Sequence, residues 1–151
     1  MSFNIFIGYD SKEDIAYRVC KYSLQKRASG KVKVTSLKLD ELISKNLYTR
    51  TIDPLASTQF TYSRFLVPKL MNYEGWAVFC DCDFIFLDDV NKLTYGLDNS
   101  KAAYCVQHDY TPKEKHKMDG QKQTIYPRKN WSSFILYNCS HPSTKNLSVE
   151  K

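Results

Sequence analysis

The sequence predicts an α/β domain with a largely parallel central sheet flanked by helices. Two observations carry that prediction. Apolar runs that read as strands alternate, through the first half of the chain, with stretches patterned as helices, an order that favours parallel pairing. The length, 151 residues with 42% hydrophobic and 25% charged residues, fits one globular domain over 1–151 and excludes a disordered chain.

Each element follows from local chemistry. FNIFIGY (3–9) is an apolar run closed by Gly8, Tyr9 and Asp10, and predicts the first strand. Over 11–29, Ser11 as cap, Asp14 three residues on, and an apolar stripe of Ile15, Val19, Tyr22 and Leu24 predict a helix that Gly30 ends. VKVTSLKL (32–39) alternates as a strand does, and 40–47 reads as a short helix capped by Asp40. Residues 48–60 read as a loop, and 61–72 as a helix kinked or divided by Pro68. The apolar run 76–87 begins as a buried strand, 88–99 gives a short helix or turn, and 102–108 and 132–138 are strands separated by a long polar loop. A further helix is expected from Pro142, and its abrupt end at residue 151 reads as an unfinished element.

Composition narrows the function. The N-terminus has no basic flank and its apolar run is broken by Gly8 and Asp10, so no signal peptide is read. No apolar stretch reaches the roughly 20 residues of a membrane-spanning helix, and a cytoplasmic location follows as the expectation. Five cysteines, 20, 80, 82, 105 and 139, form no C-x-x-C pair and read as reduced thiols. The Asn130, Asn138 and Asn146 sequons read as coincidental without a secretory signal. The net charge is +6, and residues 113–129 hold six Lys/Arg against two acids. Such a basic surface suits a phosphate-bearing partner, whether a nucleotide diphosphate or nucleic acid, or is simply a solvated loop.

The stretch FCDCDF (79–84) carries the chemistry. Residues i and i+2 of an extended chain face the same side, so Asp81 and Asp83 project together from the carboxyl end of an apolar strand. That is where open α/β sheets bind ligands. Two adjacent carboxylates repel and are costly to bury alone, a conflict that a hard divalent cation, Mn²⁺ or Mg²⁺, resolves when substrate phosphates complete its shell. The alternative is a pair of ordinary acids at a strand end. A zinc site on Cys80 and Cys82 is disfavoured, since no second Cys/His pair follows at the usual spacing.

The stretch TYSRFLVPKLMNYEGWAVFCDCDFIFLDDV (61–90) resembles the donor-binding segment of GT-A glycosyltransferases of the family 8 type, which includes glycogenin and bacterial galactosyltransferases. Thr61, Tyr62 and Arg64 match a T-Y-x-R-L-like helix, and Asp81 and Asp83 the D-x-D. WSSFILYNCSHP (131–142) is similar to that family's F-N-x-G-V-L-L-I-N segment, with Asn138 at the closing position, and FIGYDSKEDIAYRVCKYSL (6–24) resembles its opening nucleotide-binding turn. The resemblance implies a GT-A, Rossmann-like nucleotide-diphospho-sugar transferase fold, and an enzyme that moves a sugar from a nucleotide sugar, UDP-sugar favoured, to an unknown acceptor with retention.

It also implies roles. Asp81 and Asp83 would hold Mn²⁺ or Mg²⁺. Arg64 would reach the phosphates or Asp81. Tyr9, Asp10 and Cys82 would contact the nucleotide sugar, and His108, Trp131, Ser132 and Ser133 a sugar or acceptor. No residue is assigned as the catalytic group. The family's third metal ligand, a His in an H-x-x-G-x-x-K-P-like segment, has no counterpart in His108, His116 or His141. Two alternatives therefore stand: a truncated or degenerate nucleotide-sugar-binding domain without turnover, lacking the C-terminal part of the fold, and a basic nucleic-acid-binding module. The latter leaves the aspartate pair unexplained, and no nucleic acid is expected as partner.

Overall fold

The computed structural model describes residues 2–108 and 129–150, with only the strand backbone at 108 and 129–131. The basic stretch 113–128, with His116 and Tyr126, lies outside the described residues. Five strands form one sheet: β1 (Phe3–Gly8), β2 (Val32–Leu37), β3 (Trp76–Cys80), β4 (Ala103–His108) and β5 (Lys129–Asn138). Their order is β2-β1-β3-β5-β4. β1 runs parallel to both β2 and β3, the arrangement that crossover helices impose. β5 then adds antiparallel to β3, and β4 antiparallel to β5.

The centre of the sheet is the most apolar part of the sequence. Ile5, Ile7, Val78, Phe79 and Cys80 are wholly buried, as strands covered on both faces require. On one side lies α1 (Asp14–Arg27), which buries Cys20, Ser23 and Leu24. This corrects the expected stripe: Ile15, Val19 and Tyr22 are exposed, at 79%, 45% and 64%. Leu24, the fourth member of the expected stripe, is buried as expected, and Cys20 and Ser23 join it on the covered face. The cap is also different. A 3-10 turn (Ser11–Glu13) precedes α1, and its N-terminus is capped by Asp10 instead of Ser11.

α2 (Leu39–Ser44) has Lys38 at its capping position, while Asp40 sits inside the first turn, where its charge favours the helix dipole. The expected helix over 61–72 is divided as Pro68 suggests: a 3-10 turn (Ser63–Leu66) leads into the short α3 (Val67–Leu70), with Pro68 in its first turn. β3 stops at Cys80, where the apolar strand is expected to reach its carboxyl end, and the chain from Asp81 onward leaves the sheet. β5 begins earlier than expected, at Lys129, and the segment after Pro142 is a 3-10 turn (Pro142–Asn146). No helix among the described residues is long and apolar enough to cross a membrane.

Candidate functional site

β1 and β3 are parallel neighbours, so their carboxyl ends, Gly8 and Cys80, open on the same edge of the sheet. Just past β3 the chain turns, with the Asp81 amide donating to the Ser133 carbonyl at 2.8 Å. Asp81 and Asp83 then both line a cavity of about 590 Å³, a size within the usual range of ligand sites. Cys82, between them, points the other way. Its buried Sγ donates to Glu13 Oε2 at 2.9 Å, and burial raises its pKa far above the ordinary thiol range.

The opposite wall is made by an irregularity in β5. Cys105 of β4 pairs with Ile135, but Val106 pairs with Trp131, so Ser132, Ser133 and Phe134 fall between the two pairs. A bulge of this kind re-aims backbone groups and is common beside functional sites. Here it presents the Ser132 carbonyl to Arg64, whose Nη1 donates to it at 2.8 Å. The same Nη1 lies 3.3 Å from Asp81 Oδ1. Arg64 Nε donates to the carbonyls of Thr61 (3.1 Å) and Phe60 (3.4 Å), and the guanidinium stacks 5.0 Å from the Phe79 ring centroid. Arg64 is only 8% exposed. It is a buried cation tying three segments together. Beside it, the Ser133 hydroxyl is buried at the cavity wall without a hydrogen-bond partner among the described residues.

A second cavity of about 150 Å³ lies at the end of β1, lined in part by Asp10, Lys12, Tyr48, Asp53 and Tyr62. Ser57 lines both cavities, so they adjoin. Asp10 is buried, and both its oxygens serve the backbone: Oδ1 accepts from the Lys12 amide (3.0 Å) and Oδ2 from the Gln59 amide (3.2 Å). Its carboxylate thus fixes the cavity's walls. Tyr9 lines neither cavity. Its hydroxyl donates to Asp14 Oδ1 at 3.0 Å, which is the main cause of its raised pKa, and its ring packs edge-on against Tyr17.

The site thus gathers Asp81, Asp83, Arg64, Ser132 and Ser133 on one cavity, holds Asp10 at the adjoining one, and leaves Tyr9 and Cys82 outside both linings. The side chains of His108 and Trp131 lie outside the described residues. Ser57, Phe65, Phe84 and Ile85 also line the main cavity, and no sequence pattern singled them out as site residues. Ser57 sits in a stretch read only as a loop. The others sat in apolar patterns that say nothing of which residue faces a cleft.

No family model matches the chain. The protein CDI of Arabidopsis thaliana is 55% identical over 148 residues, which is 98% of this chain and 57% of that protein. The chain therefore spans a little over half the length of this curated relative. Among solved structures, the apo WbbM bifunctional glycosyltransferase superposes with a TM-score of 0.64 at 14% identity, covering 96% of this chain and 33% of that one. The galactosyltransferase LgtC in complex with donor and acceptor sugar analogues gives 0.56 at 11% identity, covering 92% and 59%. The glycosyltransferase GlyE of Streptococcus pneumoniae TIGR4 gives 0.51 at 12% identity, covering 97% and 36%. The fold is that of the GT-A glycosyltransferases, as the sequence predicts.

Proposed function

We propose that the main cavity binds the diphosphate and sugar of a nucleotide sugar, UDP-sugar favoured, and that the protein transfers that sugar with retention, as a family 8 type enzyme. The observation that carries this reading is the convergence of Asp81, Asp83 and the Arg64-anchored β5 bulge on one cavity at the carboxyl end of β3. The adjoining smaller cavity, with Lys12 at its wall, would take the nucleoside.

The donor set suits a hard divalent cation. Two carboxylates line the cavity together, and Mg²⁺ or Mn²⁺ sites commonly use one or two carboxylates plus substrate phosphates. Among the described residues no group of three His, Cys, Asp or Glu stands together, so substrate oxygens or further chain would complete the shell. Held by Asp81 and Asp83, Mn²⁺ or Mg²⁺ would supply Lewis-acid stabilisation of the departing diphosphate. Arg64 fixes the position of Asp81, and the Ser133 hydroxyl, without a hydrogen-bond partner among the described residues, would donate to a phosphate or sugar oxygen. In the transfer, an acceptor hydroxyl oxygen bonds to the anomeric carbon and that carbon's bond to the diphosphate oxygen breaks. The electron pair stays with the diphosphate, and the acceptor's proton is released.

A donor screen by calorimetry tests this, using UDP-, GDP- and CMP-sugars with Mn²⁺. UDP-sugar binding by the wild type and its loss in Asp83→Ala are expected. No binding of any donor, or equal binding after that substitution, would overturn the reading. A second reading, a donor-binding domain without turnover, fits a main cavity in which Asp81 and Asp83 are the two carboxylates among the described lining residues. Sugar transfer or donor hydrolysis by the 151-residue chain would exclude it. A cytoplasmic location belongs to the same proposal.

A further inference from the structure

A third cavity, about 320 Å³, lies against β4 and β5 on the face that carries the Ser63–Leu66 turn. Phe65 and Ser132 line both this groove and the main cavity, so the two adjoin. The two compartments differ in chemistry. The groove is walled largely by Ala103, Cys105, Ile135 and Leu147; of the four hydroxyls that line it, that of Ser143 is exposed and the other three are already engaged. The Tyr137 hydroxyl donates to the Arg64 carbonyl at 3.3 Å. The Thr144 hydroxyl bonds the carbonyls of Asn138, Cys139 and His141. Arg64 holds the Ser132 hydroxyl at 3.3 Å. A glycan laid there would lose water from its hydroxyls and regain few bonds, whereas an apolar group would lose nothing.

We infer that the groove seats an apolar aglycone of the acceptor. The acceptor's reacting hydroxyl would then cross the threshold of Phe65 and Ser132 into the charged cavity. This inference rests on the proposed transfer and names its acceptor class: a sugar or alcohol carried on an apolar body. The volume accommodates a group of aromatic-ring size, at the small end of ordinary ligand pockets.

The test compares 4-nitrophenyl glycosides with the matched methyl glycosides, by calorimetry, on the 151-residue chain with and without UDP and Mn²⁺. The aryl compounds are expected to bind about tenfold tighter, the scale set by burying one aromatic face in an apolar site. Ala103→Trp and Cys105→Trp, both at exposed positions, should fill the groove and abolish the preference. UDP and Mn²⁺ affinity and the melting temperature should stay unchanged. Equal binding of aryl and methyl glycosides overturns the inference, as does a preference that survives both substitutions. So does a wild-type dimer in sedimentation that Ala103→Trp dissociates, since the groove's occupant would then be a second copy. If UDP fails to bind while the aryl preference persists and responds to the substitutions, the donor reading falls and the groove's apolar specificity stands.

Discussion

Arg64 and Asp83 share one cavity wall but belong to different energetic classes. Arg64 is buried, paired with Asp81 and bonded to three carbonyls. Removing one partner of such a pair strands the other charge, so Arg64→Ala should cost roughly 3–5 kcal/mol in urea unfolding. Arg64→Lys should recover part of that loss, since a lysine keeps the charge but not the guanidinium fork. Ser132→Ala should be nearly neutral, because the principal acceptor is the Ser132 carbonyl and the hydroxyl lies farther off. Asp83 is exposed. Asp83→Ala should leave stability within about 0.5 kcal/mol of wild type while abolishing metal-dependent UDP binding. The sequence expectation puts Asp81 and Asp83 on one side by strand alternation; both do line the main cavity, but from a turn just past β3 where alternation no longer applies. Only its place inside the motif drew Cys82 into the list of contacts, and the turn instead buries its thiol against Glu13. The bond from Arg64 to Ser132 was not legible, because it spans 68 positions and depends on a bulge that no local pattern announces.

At the scale of elements, the junction of β1 with the loop before α3 is closely packed. A Cβ built on Gly8 would lie 2.5 Å from the Phe60 ring, and Phe60 is itself buried against Phe79. The ring has no free volume to retreat into, so Gly8→Ala should destabilise by about 1–3 kcal/mol, read as a lower melting temperature. Gly8→Ala paired with Phe60→Leu should recover part of the loss. Asp10 closes the same junction from the other side by accepting from two backbone amides, and Asp10→Ala should cost about 1–3 kcal/mol through the amides it leaves buried. The element types were largely legible, since apolar runs and helical spacing are local signals. The buried face of α1 was not. Of the expected stripe Ile15, Val19, Tyr22 and Leu24 only Leu24 is buried, and the sheet accepts Cys20 and Ser23 beside it. Ser23 explains part of that choice: its hydroxyl accepts from the Phe86 amide at 2.9 Å and so ties α1 to the chain beyond the aspartates.

The whole molecule carries its thiols inside. Cys20, Cys80, Cys82 and Cys139 are buried, and Cys105 is exposed. Iodoacetamide should therefore modify Cys105 in the native protein and the other four only on unfolding, as peptide mass analysis would report. Burial pushes the Cys139 thiol up to about 12, against an ordinary value of 9.0. It raises the Cys82 thiol and the Tyr137 hydroxyl too. Between these limits the unfolded chain releases the Cys139 proton and the folded chain keeps it. The folded state thus binds more protons, and stability falls as pH rises. Urea midpoints should be flat below about pH 9 and decline steadily toward pH 12, with Cys139→Ala reducing the slope.

The placement of β5 also dictates when the site comes into being. The parallel core β2-β1-β3 is complete once the chain has reached Cys80. The carbonyl that anchors Arg64 belongs to a strand that starts only at Lys129. A nascent chain paused between these points already owns both aspartates but has no far wall to set against them. Long-range pairing of this kind is slow to form. Recognition would therefore be acquired at the close of folding, and a partly synthesised molecule would be structured before it could hold its ligand.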